Sequence, residues 1–211
     1  MSIVFIISAP SGSGKSTLVK RLMEMDMARA ERRLQFSVSF TTRAARGGEI
    51  EGEHYHFISV EEFQRLREAN ELLESAEVFG NYYGTSRRVL ERAAERGRDL
   101  ILDIDVQGAA QLKEKLPEAV TIFILPPSRQ ELEHRLRHRS SDSADVIERR
   151  LDGAGREVSN YEFYDYVLVN DDLDESFEKL RGIILAERCR TGRMAGRIEP
   201  ILESFRAGTT K

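Results

Sequence analysis

Residues 9–17 read A-P-S-G-S-G-K-S-T, and they directly follow an apolar run at residues 3–7. The run predicts a buried strand, and the residues after the turn have the pattern of a helix. Gly12 and Gly14 lack a Cβ, so the backbone can adopt left-handed dihedrals and direct successive N–H groups toward one anion. The N-terminus of the helix adds unpaired N–H donors and a partial positive charge. The stretch therefore predicts a phosphate-binding loop between a strand and a helix.

The end of this loop carries two side chains that suit a nucleoside triphosphate. Lys15 can reach the outer phosphates, and the Ser16 hydroxyl can bind the accompanying Mg²⁺. The usual pattern is G-x-x-x-x-G-K-[ST], and its first position is occupied by Ala9, which is small enough for the turn. An ordinary strand-to-helix turn is the alternative, and the intact G-K-S at residues 14–16 disfavours it. The predicted ATP-binding loop comprises Ala9, Pro10, Ser11, Gly12, Ser13, Gly14, Lys15, Ser16 and Thr17.

Length and composition indicate one ordinary globular domain. The chain has 211 residues, of which 40% are hydrophobic and 32% charged, so it can bury a core of its own. Its net charge of −4 argues against nucleic acid as a partner. Cys189 is the one cysteine, so neither an internal disulfide nor a Cys/His metal cluster is expected. We see neither a signal peptide nor an apolar stretch of membrane-spanning length, and therefore expect no membrane partner and a cytoplasmic location.

Short apolar runs alternate along the chain with longer amphipathic segments. The runs, which suit strands buried on both faces, are residues 3–7, 99–104, 120–125 and 166–169. The helical patterns are residues 107–116, 128–139, 144–160 and 172–190. Ser128 with Glu131 has the spacing of a capping box, and Gly97 is typical of a helix end. The alternation predicts an α/β fold with three layers, a parallel sheet with helices on both faces.

Two segments break this alternation. Residues 35–40 and 54–58 alternate between apolar and polar side chains, which predicts half-buried antiparallel strands. They indicate a small α+β insertion over residues 37–92, carried on the parallel core. Residues 137–156 are densely charged and poor in apolar side chains, which suggests a second insertion.

Two acids follow the third apolar segment of the core. Asp103 and Asp105 are two residues apart, which predicts that both carboxylates lie on one side of a strand. Ligands in open α/β sheets bind beyond the carboxyl ends of the strands, where the phosphate loop also lies. An acid in this place is the usual Mg²⁺ partner in phosphate-loop enzymes. The alternative is a pair of solvated acids.

The two insertions contain further groups that suit phosphates and bases. Arg43 and Arg46 could hold one phosphate through their planar donor groups, although an isolated pair of this kind is more often solvated. Glu74 and Tyr83 could bind a base edge and a phosphate, although a Tyr-Tyr pair is more often packing. Five arginines lie in or near the second insertion, where some could neutralise a transferred phosphoryl group and the rest would face solvent. They are Arg135, Arg137, Arg139, Arg149 and Arg150.

Together these motifs resemble the guanylate kinase family, in its bacterial form. The resemblance covers residues 3 to about 190, and most of it depends on the order and spacing of the motifs. Besides the phosphate loop it includes S-V-S-F-T-T-R at 37–43, G-E at 48–49, G-E-H-Y at 52–55, residues 74–85, L-D-I-D-V-Q-G at 102–108, P-P-S at 126–128 and V-N-D-D at 169–172. Departures are Ala45, where many members have proline, and R-H-R-S-S at 137–141, where glycines are common. The tail after residue 190 lies outside it.

The resemblance implies Mg²⁺-dependent transfer of a phosphoryl group from ATP to GMP, giving ADP and GDP. The residues that it implies for the GMP phosphate are Ser39, Arg43, Arg46, Tyr55 and Tyr83. The residues that it implies for guanine are Glu74, Thr85 and Asp105. For the ATP side and the transfer it implies Lys15, Asn170 near adenine, the lid arginines Arg139 and Arg150, and Asp103 with Ser16 for Mg²⁺. It also implies that residues 137–156 form a lid and that residues 37–92 bind GMP.

Two other functions remain as alternatives. One is a phosphopeptide-binding module that has lost catalysis, which the intact loop and the lid arginines disfavour. The other is a kinase with a different acceptor, which the Glu74 and Asp105 carboxylates disfavour. The sequence leaves open whether dGMP is accepted and whether the chain forms a homo-oligomer.

Overall fold

The computed structural model describes residues 2–29, 32–78, 80–139 and 144–207. The strands are β1 Val4–Ser8, β2 Leu34–Phe36, β3 Phe40–Thr41, β4 His56–Phe57, β5 Leu72–Val78, β6 Asn81–Ser86, β7 Asp99–Asp103, β8 Val120–Leu125 and β9 Tyr166–Val169. The helices are α1 Lys15–Met27, α2 Val60–Glu68, α3 Arg88–Glu95, α4 Val106–Lys115, α5 Arg129–Arg139, α6 Ala144–Val158, α7 Leu173–Arg188 and α8 Thr191–Ala207. A 3-10 turn spans Tyr161–Phe163.

A parallel sheet of five strands forms the centre of the molecule, in the order β2-β7-β1-β8-β9. Its middle strands are apolar and fully buried, as at Phe5, Ile101 and Ile122. One side packs on α1 and α7 through Leu18 and Leu180, and the other packs on α3 and α4. The predicted three-layer α/β fold is confirmed. All carboxyl ends of the strands lie at one edge, which therefore collects the loops that bind ligands.

A second sheet has the order β4-β3-β6-β5 and carries helix α2 on one face. Phe63 of α2 is fully buried beneath this sheet and stacks on Tyr82, with ring centroids 5.5 Å apart. β5 is an edge strand of this sheet and lies against helix α4 of the core. The second sheet is therefore held at the same edge of the parallel sheet as the phosphate loop.

The prediction of one antiparallel strand at residues 35–40 was wrong in its first part and in its continuity, whereas β3, which contains Phe40, does pair antiparallel with β6. Residues 34–36 form β2 and pair in parallel with β7 of the core sheet, whereas Phe40 and Thr41 form β3 of the second sheet. The alternating pattern fitted both pieces, because each has one buried face, and it gave no sign of the break between them. The expectation of an antiparallel strand at residues 54–58 was also wrong, since β4 pairs in parallel with β3.

The helical predictions for the second half of the chain are confirmed to within two residues. Ser128 Oγ accepts a hydrogen bond from the Glu131 N–H at 3.1 Å, and Gly97 has φ +59 just beyond α3. Residues 191–207 of the tail form α8, and every residue of this helix is at least partly exposed. Among the described residues, we find no helix whose length and apolar content would let it cross a membrane.

Candidate active site

The phosphate loop connects β1 to α1 in the predicted way. Gly12 has φ +94 and Gly14 has φ +90, conformations that residues with a Cβ rarely adopt. Space gives a second reason for glycine, because a Cβ at Gly14 would lie 2.2 Å from Asn170 Nδ2. That amide donates a hydrogen bond to the Ser13 carbonyl at 2.7 Å and is buried. Asn170, predicted to lie near adenine, thus holds the loop from below.

Lys15 lies at the start of α1 and turns toward the end of β7. Its ammonium group forms an ion pair with Asp103 and donates to the Ile104 carbonyl at 3.1 Å. Both charged side chains are 17% exposed. Ser16 and Thr17 follow on the exposed side of the helix. Lysine, hydroxyl and carboxylate therefore surround the mouth of the loop.

Asp103 and Asp105 do not share one side of a strand, so that prediction was wrong. β7 ends at Asp103, and Asp105 has already left the strand to cap helix α4. Asp105 Oδ1 accepts the Gly108 N–H at 2.7 Å. The two carboxylates consequently serve two places: Asp103 lies at the phosphate loop and Asp105 faces the second sheet.

Glu74 of β5 meets Asp105 in a buried position between the second sheet and α4. The side chain of Glu74 accepts from the Thr85 hydroxyl at 2.7 Å. Burial, together with the charge of Asp105, raises the pKa of Glu74 to about 7. Burial also raises the pKa of Asp105 above its ordinary value. Asp105 Oδ2 is buried and accepts no hydrogen bond from the described residues.

Arg43 forms the centre of a second group, on the open side of β3 and β6. Its guanidinium makes a bidentate ion pair with Glu49, at 2.8 and 3.0 Å, and its Nε donates to the Tyr83 hydroxyl at 3.3 Å. The Tyr55 ring lies 5.5 Å from the guanidinium and packs edge-on against Tyr83. The hydrogen bond from Arg43 holds the pKa of Glu49 below its ordinary value. The Glu49 carboxylate therefore holds the partly buried Arg43 side chain in place.

The remaining predicted GMP ligands lie in or beside these two groups. Ser39 is buried, and its hydroxyl lies 3.4 Å from the Thr85 hydroxyl. Arg46 lies beside the Arg43 group: its N–H donates to Glu49 at 2.7 Å, and its side chain is exposed. The structure thus brings Ser39, Thr85, Glu74 and Asp105 together and leaves the Arg46 side chain at the rim.

The comparisons with known proteins agree with this arrangement. A model of the guanylate kinase family matches residues 1–187. The chain belongs to the guanylate kinase family. The guanylate kinase of Koribacter versatilis is 57% identical over 190 residues, spanning 89% of this chain and 79% of that protein. That of Geobacter metallireducens is 50% identical over 206 residues and 98% of both chains. The crystal structure of guanylate kinase from Anaplasma phagocytophilum has a TM-score of 0.72 and 39% identity, covering 91% of this chain and 89% of that one.

The arginines in and beside the expected lid differ in their surroundings. Arg135 is bound to Glu131 and to the Asn170 carbonyl, and Arg137 is paired with Glu133 along the same helix. The side chain of Arg139 and all of residues 140–143 lie outside the described residues. Arg150 lies on α6 and is partly buried. Arg135 and Arg137 are thus occupied by neighbours on the protein.

An apolar cluster joins the expected lid to the phosphate loop. Leu132 and Leu136 of α5 pack against Ile147 and Leu151 of α6. A Cβ at Gly12 would lie 2.9 Å from Leu136 Cδ2, so the loop backbone rests directly on this cluster. A movement of α5 and α6 would therefore shift the backbone of the phosphate loop.

Sequence reasoning missed two acids at this site. Glu49 belongs to the G-E motif of the resemblance, but no role was assigned to it, and it is the partner of Arg43. Glu157 of α6 was missed completely: burial and the charge of Asp105 raise its pKa to about 7. The local sequence gives no signal for Glu157, which is one charged residue among many in that helix.

The oxygen ligands at the loop fit the Mg²⁺ that a nucleotide kinase requires. The Ser16 hydroxyl and the Asp103 carboxylate are hard ligands of the kind that Mg²⁺ prefers. Within the described part of the chain, no group of three or more His, Cys, Asp or Glu side chains could hold a metal. Mg²⁺ in kinases normally takes one or two protein ligands and completes its shell with phosphates and water, so the small donor set suits it.

Proposed function

We propose that the phosphate loop and the second sheet hold ATP and GMP end to end in one site. Phosphoryl transfer from ATP to GMP, giving ADP and GDP, is the activity of the guanylate kinase family to which the chain belongs. What is proposed here is the role of each residue. The observation that carries the proposal is the buried pair of Glu74 and Asp105, in which Asp105 Oδ2 has no donor in the described part of the chain.

Guanine has the chemistry that this carboxylate pair requires. Its N1–H and its exocyclic amine are two donors on one edge, and they suit Glu74 and Asp105 Oδ2 as acceptors, with Thr85 fixing Glu74. Adenine has an acceptor at N1 and no 2-amino group, so it would leave Asp105 Oδ2 without a donor and would set an acceptor against Glu74. A site built in this way rejects the wrong partner by about 10⁴-fold. GMP and dGMP present the same base edge, so dGMP is an expected second acceptor.

The GMP phosphate is assigned to the group around Arg43. Arg43, Arg46, Tyr55, Tyr83 and Ser39 supply guanidinium and hydroxyl donors on one side of the second sheet. A phosphate dianion would compete with Glu49 for Arg43, because the guanidinium fork fits both anions. Glu49 then serves to hold Arg43 in place before GMP binds.

Positioning and charge neutralisation are sufficient for the transfer. Loop N–H groups and Lys15 are assigned to the ATP phosphates, Arg139 and Arg150 to the moving phosphoryl group, and Asn170 to the nucleotide end of the loop. Ser16 and Asp103, the latter through water, are assigned to Mg²⁺, which neutralises charge on the phosphates when it is bound. Residues 37–92 and 137–156 are assigned to closure, which would exclude water from the ATP phosphates. We place the protein in the cytoplasm, which would supply its ATP.

A coupled ADP-release assay with Mg²⁺, ATP and either GMP or AMP tests this function. We expect rapid turnover with GMP and very little with AMP. Turnover with AMP at a comparable rate would contradict the role of the carboxylate pair. GMP binding without turnover would instead favour the binding-module alternative.

Arg43→Ala is expected to raise the KM for GMP by about 10²-fold, the worth of a charge-assisted bidentate contact, and to leave the KM for ATP unchanged. The reason is that Arg43 faces only the monophosphate side of the site. Steady-state kinetics with each substrate varied in turn measure the split. Arg65→Ala, at an exposed arginine of helix α2 in the same insertion, is the matched control. Equal increases of both KM values would place Arg43 elsewhere in the mechanism.

A further inference from the structure

One face of helix α4 is attached to the outer edge of β5 by a row of side chains. Gln107, Gln111 and Lys115 are spaced four residues apart, and they donate to the carbonyls of Glu77, Ser75 and Leu73, respectively. The Ser75 bond measures 2.9 Å. The Gln111 amide also accepts from the Ser75 N–H, at 3.2 Å. Gln111 therefore binds the strand through a donor and an acceptor, as a neighbouring strand would.

The spacing of this row matches the spacing of the strand. Four residues of a helix rise about 6.0 Å, and two residues of a strand rise about 6.6 Å. Successive turns of α4 thus meet successive outward carbonyls of β5 over the length of the row. The edge of β5 has these side chains as hydrogen-bond partners in place of another strand, so its position along the helix is fixed.

The same helix carries both contacts that bring the guanine-reading carboxylates together. Asp105 caps its N-terminus, and Gly108 lies one turn further on, against the Glu74 carboxylate. A Cβ at Gly108 would be 2.7 Å from Glu74 Oε2 and 3.3 Å from Asp105 Oδ1. Glu74 itself precedes Ser75, the residue that Gln111 holds. Any slip or tilt of β5 on α4 would therefore change the separation of Glu74 and Asp105.

We infer that helix α4 is a template for guanine selection, meaning that it sets the positions of the two carboxylates that read the base. Gln111 positions β5, and the lack of a side chain at Gly108 lets the Glu74 carboxylate approach Asp105. Gln111 and Gly108 are positioning residues, since neither is assigned a contact with GMP. The inference rests on the proposed reading of guanine by Glu74 and Asp105. It assigns the position of β5 along helix α4, and not the carboxylates alone, as the determinant of the acceptor.

Gln111→Met tests the row, because methionine keeps the length of the side chain and removes both hydrogen bonds to Ser75. We expect kcat/KM for GMP to fall about 10- to 100-fold, as for other small misplacements of a binding group, with the KM for ATP unchanged. We also expect the ratio of kcat/KM for GMP to kcat/KM for AMP to fall in this variant. Gln107→Met, whose single bond to the strand is 3.5 Å long, should give a smaller change in the same direction.

Gly108→Ala tests the close approach, since the added methyl group must displace the Glu74 carboxylate. The expected result is again a rise of the GMP KM and a loss of selectivity over AMP. Gly182→Ala is the matched control: Gly182 is also a glycine within a helix, and a Cβ there meets nothing within 4 Å. Its kinetics should equal those of the wild type.

The outcomes separate this inference from the function on which it rests. Wild-type protein that does not prefer GMP over AMP would contradict the reading of guanine itself. A selective wild type, with a Gln111→Met variant that melts at the same temperature and keeps its GMP KM, would overturn the template. If Gly108→Ala does not fold, the Gln111 and Gln107 variants still decide between these results.

Discussion

Lys15→Met is expected to reduce kcat by at least about 10³-fold, the scale of losing a charge that stabilises a transferring phosphoryl group. Methionine keeps most of the length and volume of lysine and removes only the ammonium. In the structure that ammonium is held by Asp103 and the Ile104 carbonyl, at the mouth of the loop. These two oxygens hold Lys15 at the place proposed for the outer phosphates of ATP.

Lys20→Met is the control for this prediction. Lys20 lies on the same helix, its side chain is 77% exposed, and its partner Glu24 is 3.9 Å away. The substitution removes the same charge from the chain and should leave turnover unchanged. Thermal unfolding of both variants shows whether the fold is retained. A folded Lys15→Met protein with wild-type kcat would remove Lys15 from the mechanism.

The sequence was sufficient for the parts of the fold that depend on local patterns. The bounds of the strands at residues 120–125 and 166–169 were predicted to the residue. Only the first is buried on both faces as expected: β9 is an edge strand, and its Val167 and Val169 side chains are each 43% exposed. The phosphate loop was equally clear, since left-handed glycines at Gly12 and Gly14 and the strand before them leave few alternatives.

The parts that failed depend on which strand pairs with which. Residues 35–40 have one period-two pattern but belong to two sheets, and the pattern of β4 is the same for parallel and antiparallel pairing. Hydrogen bonds between residues far apart in sequence also could not be predicted. Examples are Asn170 beneath Ser13 and Gln111 against Ser75, where a polar side chain binds a backbone group that any residue could present. The resemblance located the carboxylates, but only the structure shows what holds them together.

Glu74→Gln is expected to lower kcat/KM for GMP by about 10²- to 10³-fold, since it removes a buried charged acceptor and sets a donor against the donors of guanine. Glutamine keeps the size of the side chain, and its amide oxygen can still accept from Thr85. The amide N–H₂ can face the N1 acceptor of adenine, so the preference for GMP over AMP should narrow. Glu68→Gln, at an exposed residue of α2 in the same insertion, is the matched control.

The pH dependence gives this prediction a second, independent readout. Burial raises the pKa of Glu74 to about 7, so the free enzyme carries a neutral carboxyl group below that pH and an ionised one above it. Guanine binds the ionised form, which accepts both donors, so kcat/KM for GMP should fall about tenfold per pH unit as the pH drops below 7. The second ionisation of the GMP phosphate contributes its own step near pH 6. Glu74→Gln should remove the contribution of Glu74 near pH 7 and keep the step near 6. Glu157, whose pKa is also raised to about 7, is present in both proteins, so the difference between the two profiles isolates Glu74. A profile that is identical in both proteins would show that Glu74 does not titrate in the reaction.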